Sequence, residues 1–240
     1  SRSVALISFS TSYTNPVQGT QDSPDPGVIY HNGAYYAVTT EGWDNHYFPI
    51  WKSATGVDFT QVGWVFPTPP SWTACCDYWA PEIHIINGKF LAYYTARDQS
   101  GKLVIGAAIA DNILGPYADK GSPLVSNATE GVIDATVLRQ GINNFIVYKV
   151  DGNAHGRQTE FWALQLDPTG LGTRGNAILL LKNDQAWEKG ITKDNGSSIK
   201  KEYTTFFIVD VAITMIAMQW ESQSLQMPWV LTPKTQTTQS

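Results

Sequence analysis

Three times in this chain an acidic residue stands at the head of a short apolar strand, and an aromatic strand follows. Asp25 leads into Val28-Ile29-Tyr30, a His31-Asn32-Gly33 turn and Ala34-Tyr35-Tyr36-Ala37-Val38. Glu82 leads into Ile83-His84-Ile85-Ile86, Asn87-Gly88 and Lys89-Phe90-Leu91-Ala92-Tyr93-Tyr94. Asp134 leads into Ala135-Thr136-Val137-Leu138, a turn and Asn144-Phe145-Ile146-Val147-Tyr148. The acids recur after 57 and 52 residues. Short strands with a period of about 50 residues are the sequence mark of a β-propeller. The innermost strand of each blade lines a central channel. Repetition therefore gathers carboxylates at one axis, and paired carboxylates are the equipment for cleaving a glycosidic bond.

Composition narrows the partners. With 240 residues and 42% hydrophobic content the chain has material for one globular all-β domain. A net charge of −5, with no block of Lys or Arg, argues against nucleic acid and anionic membranes. A neutral polysaccharide suits that balance. The 9 Trp and 11 Tyr supply faces for sugar rings, although core and strand packing accounts for most of them. No apolar run approaches the ~20 residues of a membrane helix. Ser1-Arg2-Ser3 leads straight into a strand-like segment, so no signal peptide is expected within this chain. Asn127-Ala128-Thr129 and Asn195-Gly196-Ser197 match the glycosylation sequon, which accords with an extracellular, secreted protein. Cys75 and Cys76 are adjacent. Their Cα separation of ~3.8 Å would strain a disulfide between them, and two neighbouring thiols do not close a zinc site.

Helical periodicity is scarce up to about residue 190. Hairpin punctuation divides the chain into a first blade from Asp25 to Phe66, with later strands at Ile50–Ser53 and Thr60–Trp64. A second blade has its third strand at Lys102–Ala110 and ends at Gly115-Pro116-Tyr117. A third blade spans Ile133 to about Leu166, with Phe161–Leu166 as its late strand. A fourth blade is due near residue 190, where Thr192–Ser198 supplies no carboxylate before an apolar strand. The expected organisation is residues 1–190 as propeller blades and 191–240 as an atypical C-terminal segment.

Four segments in order resemble glycoside hydrolase family 43. They are Ser23-Pro24-Asp25-Pro26-Gly27-Val28-Ile29, Tyr78-Trp79-Ala80-Pro81-Glu82-Ile83, Gly131-Val132-Ile133-Asp134-Ala135-Thr136-Val137 and Asn183-Asp184-Gln185-Ala186-Trp187-Glu188. The resemblance covers about residues 20 to 190. It implies a five-bladed propeller, here incomplete, with three recognisable blades. It also implies an inverting hydrolase of α-L-arabinofuranosyl or β-xylosyl links in plant cell-wall glycans, acting as a monomer on arabinose- or xylose-containing chains. By the same resemblance Asp25 is the general base, and Asp134 orients the acid and tunes its proton affinity. Trp79, Glu82 and Asn153 are assigned to substrate. Each residue has a plainer reading: Asp25 as a turn residue before proline, Asp134 as a strand-edge carboxylate held by backbone donors, Glu82 as structural, Trp79 as core, and Asn153 as part of an Asp151-Gly152-Asn153 hairpin turn. His84, alone in its strand, is expected to be packed and hydrogen-bonded rather than a metal ligand.

The resemblance fails where the family places its general acid, a Glu opening the fourth blade. The matching place falls near Lys193, and an ammonium cannot serve as a neutral carboxylic acid. Neither Glu188 nor Glu202 sits at the strand head. A two-nucleotide frame shift of the back-translated Tyr203–Leu231 permits propeller-like text, including Ala-Leu-Gly-Pro-Tyr, close to the chain's own Ile113-Leu114-Gly115-Pro116-Tyr117. A frameshifted C-terminal part and impaired hydrolysis follow as expectations, with a non-catalytic sugar-binding propeller as the alternative. Calcium in the channel is allowed by the resemblance, with no ligand set to name.

Overall fold

The computed structural model describes residues 23–40, 46–74 and 76–182. The chain divides into two units, 1–193 and 194–240, and every described residue lies in the first. Three antiparallel four-stranded sheets follow one another, each a blade. Blade 1 comprises β1 (Gly27–His31), β2 (Ala34–Val38), β3 (Tyr47–Ser53) and β4 (Thr60–Phe66). Blade 2 comprises β5 (Trp79–Ile86), β6 (Lys89–Arg97), β7 (Leu103–Ala110) and β8 (Ala118–Asp119). Blade 3 comprises β9 (Val132–Gln140), β10 (Asn143–Val150), β11 (Glu160–Leu166) and β12 (Thr173–Lys182). Strand order within each blade follows chain order, so each is a meander joined by hairpins. The fold is all-β and of β-propeller type. The first strands β1, β5 and β9 are neighbours, which makes them the inner strands.

Alternation explains the stacking. Side chains along a strand point to opposite faces. In β6, Phe90, Ala92, Tyr94 and Ala96 face blade 1 and join Tyr36, Val38, Phe48, Ile50, Phe66 and Tyr78. Leu91 and Tyr93 face blade 3 and meet Ile105, Val132, Ile146 and Tyr148. One strand therefore serves two cores, and both faces of blade 2 are dry. Gly106 in β7 lies under the Tyr94 ring, where an added Cβ would stand 2.3 Å from Cζ. The Tyr94 hydroxyl donates to Asp119 Oδ2 (2.5 Å), and Trp72 Nε1 donates to Asp119 Oδ1 (2.8 Å).

The blade limits read from sequence hold at Asp25–Phe66, but two outer strands differ. Blade 2 ends in Ala118–Asp119, just past the expected stop at Tyr117. Blade 3 gains β12, which the sequence reading missed. Its Thr-Arg-Gly-Asn start lacks alternation, the strand is largely exposed, and its pairing to β11 slips twice. Cys75, the 190/191 boundary, Lys193 and the proposed frameshifted segment lie outside the described residues.

Candidate active site

Backbone conformation marks the head of each inner strand. Asp25 (φ 49°), Ala80 (φ 43°) and Asp134 (φ 57°) are all left-handed. The Cβ crowds the following carbonyl there in both residue types, and Asp accepts the region more readily than Ala because its short polar side chain can hydrogen-bond locally. Pairing slips at the heads in blades 2 and 3, between Trp79 and Glu82 and opposite Tyr148, as an extra residue in one strand requires.

These three residues are the true repeat, and this corrects the phase read from sequence. Asp25 and Asp134 occupy equivalent heads, whereas blade 2 places Ala80 there. Glu82 lies two residues further along, level with Gly27 and Thr136. The offset arose because Ala80-Pro81-Glu82 carries its acid two positions after the left-handed residue. Gly27 has no side chain for a contact reason: a Cβ there would stand 2.4 Å from Pro81 O and 3.0 Å from Glu82 Cγ. From the other side Thr136 Oγ1 donates to Glu82 Oε2 (2.7 Å). His84 Nε2 lies 2.8 Å from the same oxygen, so His84 is the hydrogen-bonded strand residue expected of it.

Threonines on or just past the second strands, Thr40 beyond β2 and Thr95 in β6, tie successive heads together. Thr40 N–H donates to Pro24 O (3.1 Å), and its hydroxyl donates to Asp25 Oδ2 (3.2 Å). That hydroxyl also accepts from Ala80 N–H of the next blade (3.0 Å). Thr95, paired with Trp79, accepts from Asp134 N–H (3.1 Å). The corresponding residue of blade 3, paired with Ile133, is Lys149. Its Nζ lies 4.0 Å from Asp134 Oδ2 and 3.2 Å from Asp151 Oδ1. Asp151 Oδ1 has no hydrogen-bond donor in good alignment, so its tie to Lys149 is an ion pair.

Asp134 is the electrostatic centre of the cluster. Its side chain keeps 32% of its exposure, yet the protein walls around it strip much of the carboxylate's hydration. Burial raises its pKa to about 6; Lys149 pulls it down, while Asp25, Asp151 and Glu82 push it up. All three sheets thus contribute carboxylates that feel one another. Asp25 is exposed and Glu82 half-buried. Trp79 is half-buried at the start of β5. Asn153 lies in the short turn Gly152–His155, where its Oδ1 accepts from Thr159 Oγ1 (2.7 Å). That turn is pinned from below by the buried Glu130, which takes His155 Nδ1 at 2.8 Å and also pairs with Arg157.

Sequence reading missed Lys149 and Glu130, and weighed Asp151 only within an Asp151-Gly152-Asn153 segment, as a hairpin turn or as a stretch near the sugar. The partners of Glu130 lie 25 and 27 positions along the chain, where no local spacing exposes them. Lys149 becomes visible once the blades are aligned on their left-handed heads. Among the described residues no group of three or more His, Cys, Asp or Glu is placed to hold a metal, so no calcium ligands are assigned there.

Three four-stranded meanders in succession, with carboxylates clustered at the inner strands, define the class as a β-propeller. The chain belongs to the family described as Glycosyl hydrolases family 43, whose sequence profile matches residues 13–240. That match runs through 191–240, beyond the point where the strand pattern breaks. Extracellular endo-alpha-(1->5)-L-arabinanase 1 of Bacillus subtilis is 26% identical over 147 residues, covering 58% of this chain and 43% of the relative. An extracellular exo-alpha-(1->5)-L-arabinofuranosidase of Streptomyces avermitilis is 25% identical over 141 residues, covering 56% of this chain and 29% of the relative. The crystal structure of a thermostable family-43 glycoside hydrolase superposes with a TM-score of 0.63 at 28% identity, over 73% of this chain and 58% of that one. The chain thus matches less than half the length of these two curated relatives.

Proposed function

We propose that this chain is a glycosidase for α-L-arabinofuranosyl or β-xylosyl links of plant cell-wall glycans, working with inversion, and that its hydrolysis is impaired because the general acid is missing. In this reading Asp25 is the general base and takes a proton from the attacking water. Inversion needs room for that water, so acid and base carboxyls stand ~6.5–9.5 Å apart on opposite sides of the sugar. Asp134 supplies negative charge beside the acid and favours its protonated form. Trp79, Glu82 and Asn153 hold the sugar. The observation that carries the reading is the convergence of Asp25, Glu82 and Asp134 from three sheets into one electrostatic cluster. The names of the relatives support arabinan as the substrate class, and the extracellular ones support secretion. We take the chain to act as a monomer.

Lys193, standing where the family's Glu is due, favours a second reading: a propeller that binds the glycan without cleaving it. Residues 191–240 are then a departed remnant of the fourth blade, and the coding DNA around codon 193 tests the frameshift behind it. If no alternate frame there encodes a strand-rich blade, that origin is wrong. Calorimetry with arabino- and xylo-oligosaccharides, run beside a chromogenic glycoside assay, separates the two functions. Binding without turnover selects the second. Binding with weak turnover that Asp25→Asn abolishes selects the first, whereas robust turnover shows that the chain has its general acid elsewhere. No binding of either oligosaccharide sinks both.

A further inference from the structure

The threonine that ties one blade to the next is replaced in blade 3 by a lysine, and that exchange has a chemical meaning. Thr40 gives a neutral hydroxyl to the head carboxylate of its own blade. Thr95 has no such partner, because its own blade carries Ala80 at the head. Lys149 holds the same register position and brings a full positive charge toward Asp134. Its side chain is only 14% exposed, and Asp151, equally covered, pairs with it at 3.2 Å. We propose that Lys149 is a positioning residue, the fixed counter-charge that keeps the Asp134 carboxylate ionised, with Asp151 dividing its ammonium between the two acids.

The need for such a cation follows from what faces Asp134. Asp25 approaches from the head of β1, Glu82 from β5, and Asp151 from the end of β10. Thr95 on β6 offers only a neutral oxygen. Three like charges and partial burial all favour the neutral acid. Lys149 alone among the groups acting on Asp134 opposes them, and the midpoint near 6 is the balance. A neutral Asp134 would be a hydrogen-bond donor without the charge that a neighbouring acid needs. This inference rests on the role proposed above for Asp134, but its test does not require turnover.

The experiment is a carboxyl-carbon NMR titration of Asp134 in the full 240-residue chain. Lys149→Met should raise the Asp134 midpoint by about one unit or more, tenfold in proton affinity. Lys149→Arg should restore it to within a few tenths. Asp151→Asn should lower it, because a repelling charge goes and the ammonium is released to Asp134. A folded Lys149→Met protein with an unmoved midpoint overturns the assignment, as does an Arg variant that behaves like Met. Should the Met variant fail to fold, Asp151→Asn decides: an unchanged or raised midpoint rejects the idea. A shifted midpoint in a protein that cleaves no glycoside supports the counter-charge and counts only against the catalytic reading.

Discussion

Thr40 joins two blades through one hydroxyl, donating to Asp25 and accepting from the Ala80 amide. Thr40→Val keeps the shape and removes both bonds, leaving a half-buried N–H without its partner. We expect a loss of about 1–3 kcal/mol, measured by urea unfolding. Asp134 acts in the opposite direction. Its folded pKa of about 6 lies above the ordinary 3.8, so ionisation opposes folding. The penalty is absent below about pH 4, grows through pH 6 and is complete above it. Asp134→Asn should therefore raise Tm at pH 7.5, and the gain should vanish by pH 4. Water reaching a side chain one-third exposed limits the effect to the order of 1 kcal/mol, about 2–4 °C. Asp25 and Asp134 were legible in the sequence because a polar residue interrupting an apolar strand head stands out. Ala80 was not, because nothing in an alanine announces a left-handed backbone, and Glu82 two residues later imitated the repeat.

Inner strands approach closely because one of them drops its side chain. Gly27→Ala would drive a methyl against the Pro81 carbonyl and push β1 away from β5. Gly106→Ala would do the same beneath the Tyr94 ring. Each should cost about 1–3 kcal/mol in chemical denaturation. Gly27→Ala should also weaken oligosaccharide binding in calorimetry, since it displaces Glu82, while Gly106→Ala, on the third strand of blade 2, should have a smaller effect on affinity once the protein is folded. Inner and second strands were legible because their alternation is strong and Asn-Gly turns separate them. β12 was not. Its first half is polar and exposed, and its apolar run over residues 177–181 does not alternate, so the sequence carries no two-residue period to mark its pairing.

Across the molecule, β6 belongs to two cores, which couples all three blades. Native-state hydrogen exchange should find the slowest amides in Leu91–Ala96 and fast ones in β12. If blade 3 exchanged as an independent unit with β6 unaffected, that coupling would be refuted. Binding to a neutral glycan should also be indifferent to salt. Affinity should change less than about twofold between about 0.05 and about 0.5 M NaCl, as contacts to uncharged hydroxyls demand. The blade count and the gathering of Asp25, Glu82 and Asp134 were legible because the same pattern recurs, whereas the place of Lys149 and Asp151 among them was not, since it depends on side chains meeting across strands. Ala80 gives the assembly its polarity. Among the three described blades the outer two present acids at their heads and the one between them presents a methyl, with its acid, Glu82, two residues further along. Ala80→Asp would set a third acid in line with Asp25 and Asp134 and draw cations to that step, so that an approaching sugar would meet a bound ion in place of a methyl.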